Sequence, residues 1–403
     1  MGKLVEINNW SYTYGNCDAP AVKDINLSIE EGEFIVLCGM SGSGKSTLLK
    51  NIKEGSVPIA KGSVPISYSI DNMKDIGFVF QNPDNQIVTD KVWHEMAFGL
   101  ENRGTNKNEI RLRVSEIASF FGIEEWFEKK TDELSGGQKQ ILNLASIMVL
   151  NPKLLLLDEP TAQLDPIASF NFMSILRKIN QELGITIIMS EHNLTEAINL
   201  ADRIVVMDNG YIVKDDTPTE VALFLANDKH PMYDAMPEAF KISRELAYGK
   251  VVFNVRQGRM MLNELYNGGI AHSNTDNKCS YNNEAEVVLE AKELWFRYDK
   301  NGKDILKGVN FTLNKGEIYC LFGGNGAGKS TFIKNLTGIR QPYSGNVKVD
   351  NKSIKKLSNK ELFMDNIGVL PQNPRTLFIK EKVRDELDEM IKFVKQITRK
   401  RGE

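Results

Sequence analysis

"GMSGSGKST", residues 39–47, follows the apolar run "EFIVLCG" and leads into the helical pattern "KSTLLKNIKEG". The pattern G-x-x-x-x-G-K-S between a strand and a helix reads as a phosphate-binding loop. Its glycines let successive backbone N–H groups turn toward an anion, and the helix N-terminus adds positive potential. Gly39, Ser41, Gly42, Gly44, Lys45, Ser46 and Thr47 are therefore expected to hold the phosphates of a nucleotide. Lys45 would reach the β- and γ-phosphates, and the Ser46 hydroxyl would ligate Mg²⁺.

Two further apolar runs, "LLLLDEP" (154–160) and "ITIIMSEH" (185–192), suit buried strands and alternate with helical patterns. That alternation predicts an α/β core with a parallel sheet. Ligands in such sheets bind beyond the C-terminal ends of the strands, where the phosphate loop sits. Asp158 and Glu159 come directly after a strand. Asp158 is placed to bind Mg²⁺, and Glu159 to polarise an attacking water. "LSGGQ" (134–138) precedes the helical pattern "KQILNLASIMVLN". Its Ser135, Gly136, Gly137 and Gln138 read either as an anion grip at a helix N-terminus or as a plain helix cap.

The chain has 403 residues, a formal charge of −3, 41% hydrophobic and 26% charged residues. This is ordinary globular composition, of a length for two or three domains. Near-neutral charge argues against a dedicated nucleic-acid binder. No signal pattern opens the chain, and no apolar run reaches the roughly 18 residues of a membrane span. Any membrane role would come through a partner. Cys17, Cys38, Cys279 and Cys320 form no CxxC pair, with Cys38 and Cys320 in apolar, strand-like runs. All four read as reduced thiols of a cytosolic protein.

One unit is written twice. "GGNGAGKST" (323–331) repeats the first loop at a spacing of 284 residues (323 − 39), which Tyr298 and Tyr14 share (298 − 14). "VLPQNPRT" (369–376) repeats "VFQNPDNQ" (79–86) at 291 (372 − 81). The expected boundaries are a first domain over 1–225, a helical segment and an Asn/Ser/Gly-rich flexible linker over 226–285, and the front half of a second domain over 286–403.

The phosphate loop, Gln81, LSGGQ, LLLLDEP, "TAQLD" (161–165) and the strand-ending His192 occur in one order. That set resembles the ATP-binding-cassette (ABC) ATPases over nearly all of 1–225 and again from 286 to 403. The implied fold is the P-loop NTPase of ABC type, with antiparallel β and helical subdomains beside the parallel core, in two tandem cassettes of which the second is incomplete. The resemblance implies further roles. Tyr14 and Tyr298 would stack on adenine. Gln81 and Gln372 would contact Mg²⁺ and the attacking water, and His192 would contact the γ-phosphate. Gly323, Asn325, Gly326, Gly328, Lys329, Ser330 and Thr331 would form the second loop, with Ser330 and Gln372 toward its Mg²⁺. His94, His230 and His272 match nothing in the pattern.

In this family two cassettes pair head to tail, each ATP lying between the loop of one and the LSGGQ of the other. The second copy's LSGGQ and acid pair would fall near 425 and 449, taking the 291-residue spacing. Two expectations follow. The favoured one is that the sequence is a fragment of a longer double-cassette protein. The other is that 403 is a real terminus, and that two chains pair through their first cassettes to build two complete sites. Leu387, Met390, Ile391 and Val394, in a helical pattern near the end, would then lack part of their packing surface.

The stretch "VFQNPDNQIVTDKVWHEMAFGLEN" (79–102) and "TAQLDPIA" look like the fused double-cassette ATPases of energy-coupling-factor (ECF) importers. That resemblance implies ATP hydrolysis coupled to uptake of a vitamin or metal ion. It also implies a transmembrane T component, a substrate-binding S component and a position on the cytoplasmic face of the cell membrane. The competing class is a soluble ABC ATPase of translation or DNA repair, and a non-hydrolysing regulatory subunit is a third reading. The first type usually carries a strongly charged linker, whereas 267–286 is Asn/Ser-rich. The second inserts zinc sites or coiled coils, for which the 53 residues from Gln81 to Leu134 leave no room.

Overall fold

The computed structural model describes residues 2–15, 17, 19–54, 67–68, 75–266, 286–358, 361–363, 366–371 and 374–391. Gln372, Val394, His272 and Cys279 lie outside the described residues, as does the Asn/Ser-rich stretch 267–285. The chain divides into two units, Met1–Thr275 and Asp276–Glu403.

In the first unit, β1 (Lys3–Tyr12) and β2 (Val22–Glu30) pair antiparallel, and β1 also pairs with β4 (Ser67–Tyr68). The main sheet contains β3 (Phe34–Cys38), β5 (Ile76–Val79), β6 (Leu154–Asp158), β7 (Thr186–Glu191), β8 (Arg203–Asp208) and β9 (Tyr211–Asp216). Their order is β5-β6-β7-β3-β8-β9, with every pair parallel except β8–β9. All five residues of β3 are buried, as expected of a parallel strand covered on both faces. Its side chains alternate between two cores. Phe34, Val36 and Cys38 join the larger one, while Ile35 and Leu37 join a second one formed with β1 and β2.

Helix α1 (Lys45–Glu54) follows the phosphate loop. Helices α2 (Val92–Asn102), α3 (Lys107–Phe121) and α4 (Gly136–Met148) pack together between β5 and β6 in sequence. Helix α5 (Pro166–Leu183) joins β6 to β7, and the short α6 (Leu194–Ala197) follows β7. Beyond β9 come α7 (Pro218–Asn227), α8 (Glu238–Glu245) and α9 (Val255–Tyr266). Among the described residues, no helix is long and apolar enough to cross a membrane.

In the second unit, β10 (Val287–Phe296), β11 (Leu306–Asn314), β12 (Ser344–Val349) and β13 (Lys352–Ser353) form an antiparallel sheet of order β11-β10-β12-β13. It packs with α10 (Lys329–Leu336) around Leu294, Phe296, Phe332 and Val347. The counterpart of β3 departs from the strand-like reading of Cys320. Ile318 and Phe322 are 93% and 88% exposed, Cys320 is exposed, and residues 317–322 adopt no strand. β3 is held between β7 and β8, and the described residues of the second unit provide no such neighbours. Residues 383–391 are helical, with Leu387, Met390 and Ile391 exposed.

Candidate functional site

The C-terminal ends of β3, β6 and β7 carry the three groups that sequence spacing singled out. The loop after β3 turns through positive φ at Gly39, Gly42 and Gly44. At Gly39 the turn has no room for a side chain, because a Cβ would stand 2.2 Å from the Met207 carbonyl oxygen. The Lys45 Nζ, 4% exposed, donates to the carbonyls of Gly39 (2.8 Å) and Met40 (3.2 Å). It thus arches over the loop. Burial lowers its pKa, and the carboxylates of Glu159, Asp158 and Glu191 oppose that shift.

Opposite the loop, Ser46 Oγ donates to Asp158 Oδ1 at 2.8 Å, and the buried Ser190 hydroxyl donates to the same oxygen at 2.9 Å. Both carboxylate oxygens of Glu159 are engaged. Gln81 Nε2 donates to Oε2 at 2.8 Å, His192 Nε2 stands 2.7 Å from Oε1, and Lys45 Nζ lies 4.0 Å from Oε1. Glu159 also sits at φ 46°, in the left-handed region, and its N–H donates to Ser190 Oγ at 2.9 Å. A strained non-glycine residue kept by its surroundings marks a position where side-chain aim outweighs backbone comfort.

Tyr14, Ser41, Gly42, Gly44, Lys45, Ser46, Thr47, Gln81, Glu159 and His192 line one open cleft of about 490 Å³. Tyr14 is 43% exposed there. Its hydroxyl hydrogen-bonds Thr47 Oγ1 at 3.0 Å, and its ring rests edge-on against Tyr12 at 5.1 Å. An aromatic face, a set of N–H donors and a buried cation in one cleft suit a purine nucleotide with phosphates. The Ser46 hydroxyl and Asp158 carboxylate offer two hard oxygens to one point. They fit a small cation that keeps several waters and completes its shell with phosphate oxygens, as Mg²⁺ does. Among the described residues, no group of three or more His, Cys, Asp or Glu could hold a metal by itself.

Ser135–Gln138 stand apart from this cleft. Ser135 Oγ accepts from the Gln138 N–H (3.3 Å), and Gln138 Oε1 accepts from the Ser135 N–H (2.9 Å), a reciprocal cap on α4. The helix-cap reading is thus observed directly, and a Cβ at Gly136 would meet nothing within 4 Å. Gly137 faces the other way, and a Cβ there would stand 2.9 Å from Ala168 Cβ.

The second unit reproduces the loop but not its surroundings. Gly323, Gly326 and Gly328 keep positive φ, and Lys329 Nζ donates to Gly323 O (2.6 Å) and Gly324 O (2.9 Å). Tyr298 hydrogen-bonds Thr331 at 3.1 Å and meets Phe296 edge-on at 5.0 Å. Asn325 lies in the turn, and among the described residues no carboxylate hydrogen-bonds Ser330.

Five side chains escaped the sequence reading. Ser190 ties Asp158 to the Glu159 backbone, and Thr161 donates to the buried Glu191 at 2.7 Å. On α4, the buried Gln140 and Asn143 amides donate to the carbonyls of Phe80 (3.3 Å) and Pro83 (3.2 Å), holding the segment around Gln81. The signal available was polarity inside apolar patterns, Ser-Glu closing "ITIIMSEH" and Gln/Asn inside "KQILNL".

Comparison with known proteins places these features. The family model described as "ABC transporter" matches residues 22–162 and 306–402. A Bacillus thuringiensis subsp. konkukian protein, provisionally named an ABC transporter ATP-binding protein, is 43% identical over 394 residues, covering 95% of this chain and 70% of that protein. A Methanosarcina acetivorans protein with the same provisional name is 33% identical over 431 residues, 95% of this chain and 66% of that one. Among solved structures, cbiO1 from Clostridium perfringens, described as part of the ABC transporter complex cbiONQ, aligns with a TM-score of 0.52 and 32% identity. It covers 65% of this chain and all of that one.

Proposed function

The chain belongs to the ABC transporter family of ATPases, and on that premise we propose that it is the ATP-hydrolysing subunit of an ECF-type importer for a vitamin or metal ion. The observation that carries the reading is the cleft in which Lys45, Ser46, Gln81, Glu159 and His192 converge. The importer class draws its support from the likeness to cbiO1, itself part of an ABC transporter complex, and from the segment 79–102.

In the proposed mechanism the first-unit loop cradles the phosphates through its N–H groups, with Lys45 on the β- and γ-phosphates. Ser46, Asp158 and Gln81 would hold Mg²⁺, which would supply neutralisation of the charge developing on the phosphate oxygens. Glu159 orients and polarises the attacking water. To do so it exchanges its contacts with Gln81 and His192 for that water, and both donors then become available to the nucleotide. Tyr14 packs on the adenine. The Ser135–Gln138 turn serves the ATP of a paired cassette, and the same roles for Tyr298, Lys329, Ser330 and Gln372 describe a second nucleotide. Pairing and reopening drive a transmembrane T component and a substrate-binding S component from the cytoplasmic face of the membrane.

Affinity purification of the chain from membranes of its source tests the importer reading. Recovery of an integral membrane T component is expected. Recovery of ribosomes or DNA-repair proteins, with no membrane protein, would contradict it.

A further inference from the structure

Glu191 lies beneath the catalytic cleft, one residue before His192, and the proposed mechanism leaves it unused. Its side chain is 5% exposed. The carboxylate accepts the Thr161 hydroxyl at 2.7 Å. Thr161 opens the segment that follows Asp158-Glu159-Pro160, whereas Glu191 ends β7 and His192 follows it. A buried carboxylate holds such a donor tightly, because charge-assisted bonds in a dry site are the strong ones.

We propose that Glu191 is a positioning residue for ATP hydrolysis: its carboxylate clasps Thr161 and so, one residue before His192, fixes the 2.7 Å approach of His192 to Glu159. The inference rests on the ATPase reading above and adds a residue to it. The groups facing Glu191 are Glu159 after β6, Lys45 of the phosphate loop, the adjoining His192, and Glu196, which shares a polar cleft with it. Burial pushes the Glu191 carboxyl up to about 7, with the Thr161 and His192 donors opposing and the Glu159 charge adding to the rise. The clasp is therefore charged and strong above that pH and weaker below it, where the neutral acid is a poorer acceptor.

The test compares ATP turnover of the full chain with Glu191→Gln, Thr161→Val and Thr161→Ser across a pH range centred on 7, alongside binding of a fluorescent ATP analogue. Glu191→Gln is expected to lower kcat roughly ten-fold above pH 7, the scale of a misplaced catalytic group. The gap should close below pH 7, and nucleotide affinity should stay at the parent value. Thr161→Val should lower kcat and Thr161→Ser restore it, which keeps the test open if Glu191→Gln folds poorly. A gap independent of pH, parent-like kcat in Glu191→Gln, or equal loss in both Thr161 variants would overturn the proposal. A parent chain that binds no ATP analogue would instead overturn the ATPase reading on which it rests.

Discussion

Glu159 and Glu191 are neighbours with opposite surroundings. The first presents its carboxylate to the cleft, and the second is buried under it. The raised pKa of Glu191 has a thermodynamic consequence. The unfolded chain releases this proton near the usual 4.5, whereas the native state keeps it to about 7. Between these values the native state binds more protons, so this residue's contribution to stability falls as pH rises. A shift of that size corresponds to on the order of 3 kcal/mol. Urea unfolding just above pH 4.5 and again above pH 7 should show Glu191→Gln gaining stability relative to the parent at the higher pH; a pH-independent difference would contradict this. At the residue scale, Lys45, Asp158 and Glu159 were legible because the motif fixes their spacing after strands. Ser190, Glu191 and Thr161 were not. Their roles depend on β6 and β7 lying side by side, with Asp158 opposite Ser190, which no local pattern states.

Helix α4 shows one short segment doing several tasks. Ser135 and Gln138 close its N-terminus, Gly137 admits α5, and Gln140 and Asn143 hold the segment around Gln81. Ser135→Ala removes one side of the cap and should cost about 1 kcal/mol. In a unit of this size that lowers Tm by roughly 2–4 °C, measurable by calorimetry; an unchanged Tm would mean that the cap is dispensable. The repeat also extends to loop caps. Glu95 accepts the N–H groups of Val88 and Thr89, and Glu386, 291 residues later, accepts those of Ile379 and Lys380. Strands were less legible than caps. "FIVLC" and "IYCLF" read alike, yet the first is wholly buried and the second is not a strand. A cap is made by residues within one short stretch of sequence, but a parallel strand is made by neighbours far away in sequence.

At the scale of the whole chain, two similar loops stand in different company. The first has an acid pair, a glutamine and a histidine around it, whereas the described residues give the second an aromatic and a lysine. Lys45→Ala should remove ATP turnover, and Lys329→Ala should lower it far less; the reverse result would assign catalysis to the second loop. The repeat and its spacing were legible in the sequence. The unequal surroundings follow from which strands each unit has to place beside its loop. The most direct measurement of the central claim is steady-state ATP turnover of the chain beside Glu159→Gln, with ATP binding followed in both. We predict that Glu159→Gln binds ATP as the parent does but turns it over roughly 10²–10⁴-fold more slowly, the loss expected for a missing general base. Parent-like turnover in Glu159→Gln would contradict the assignment of this cleft as the hydrolytic site.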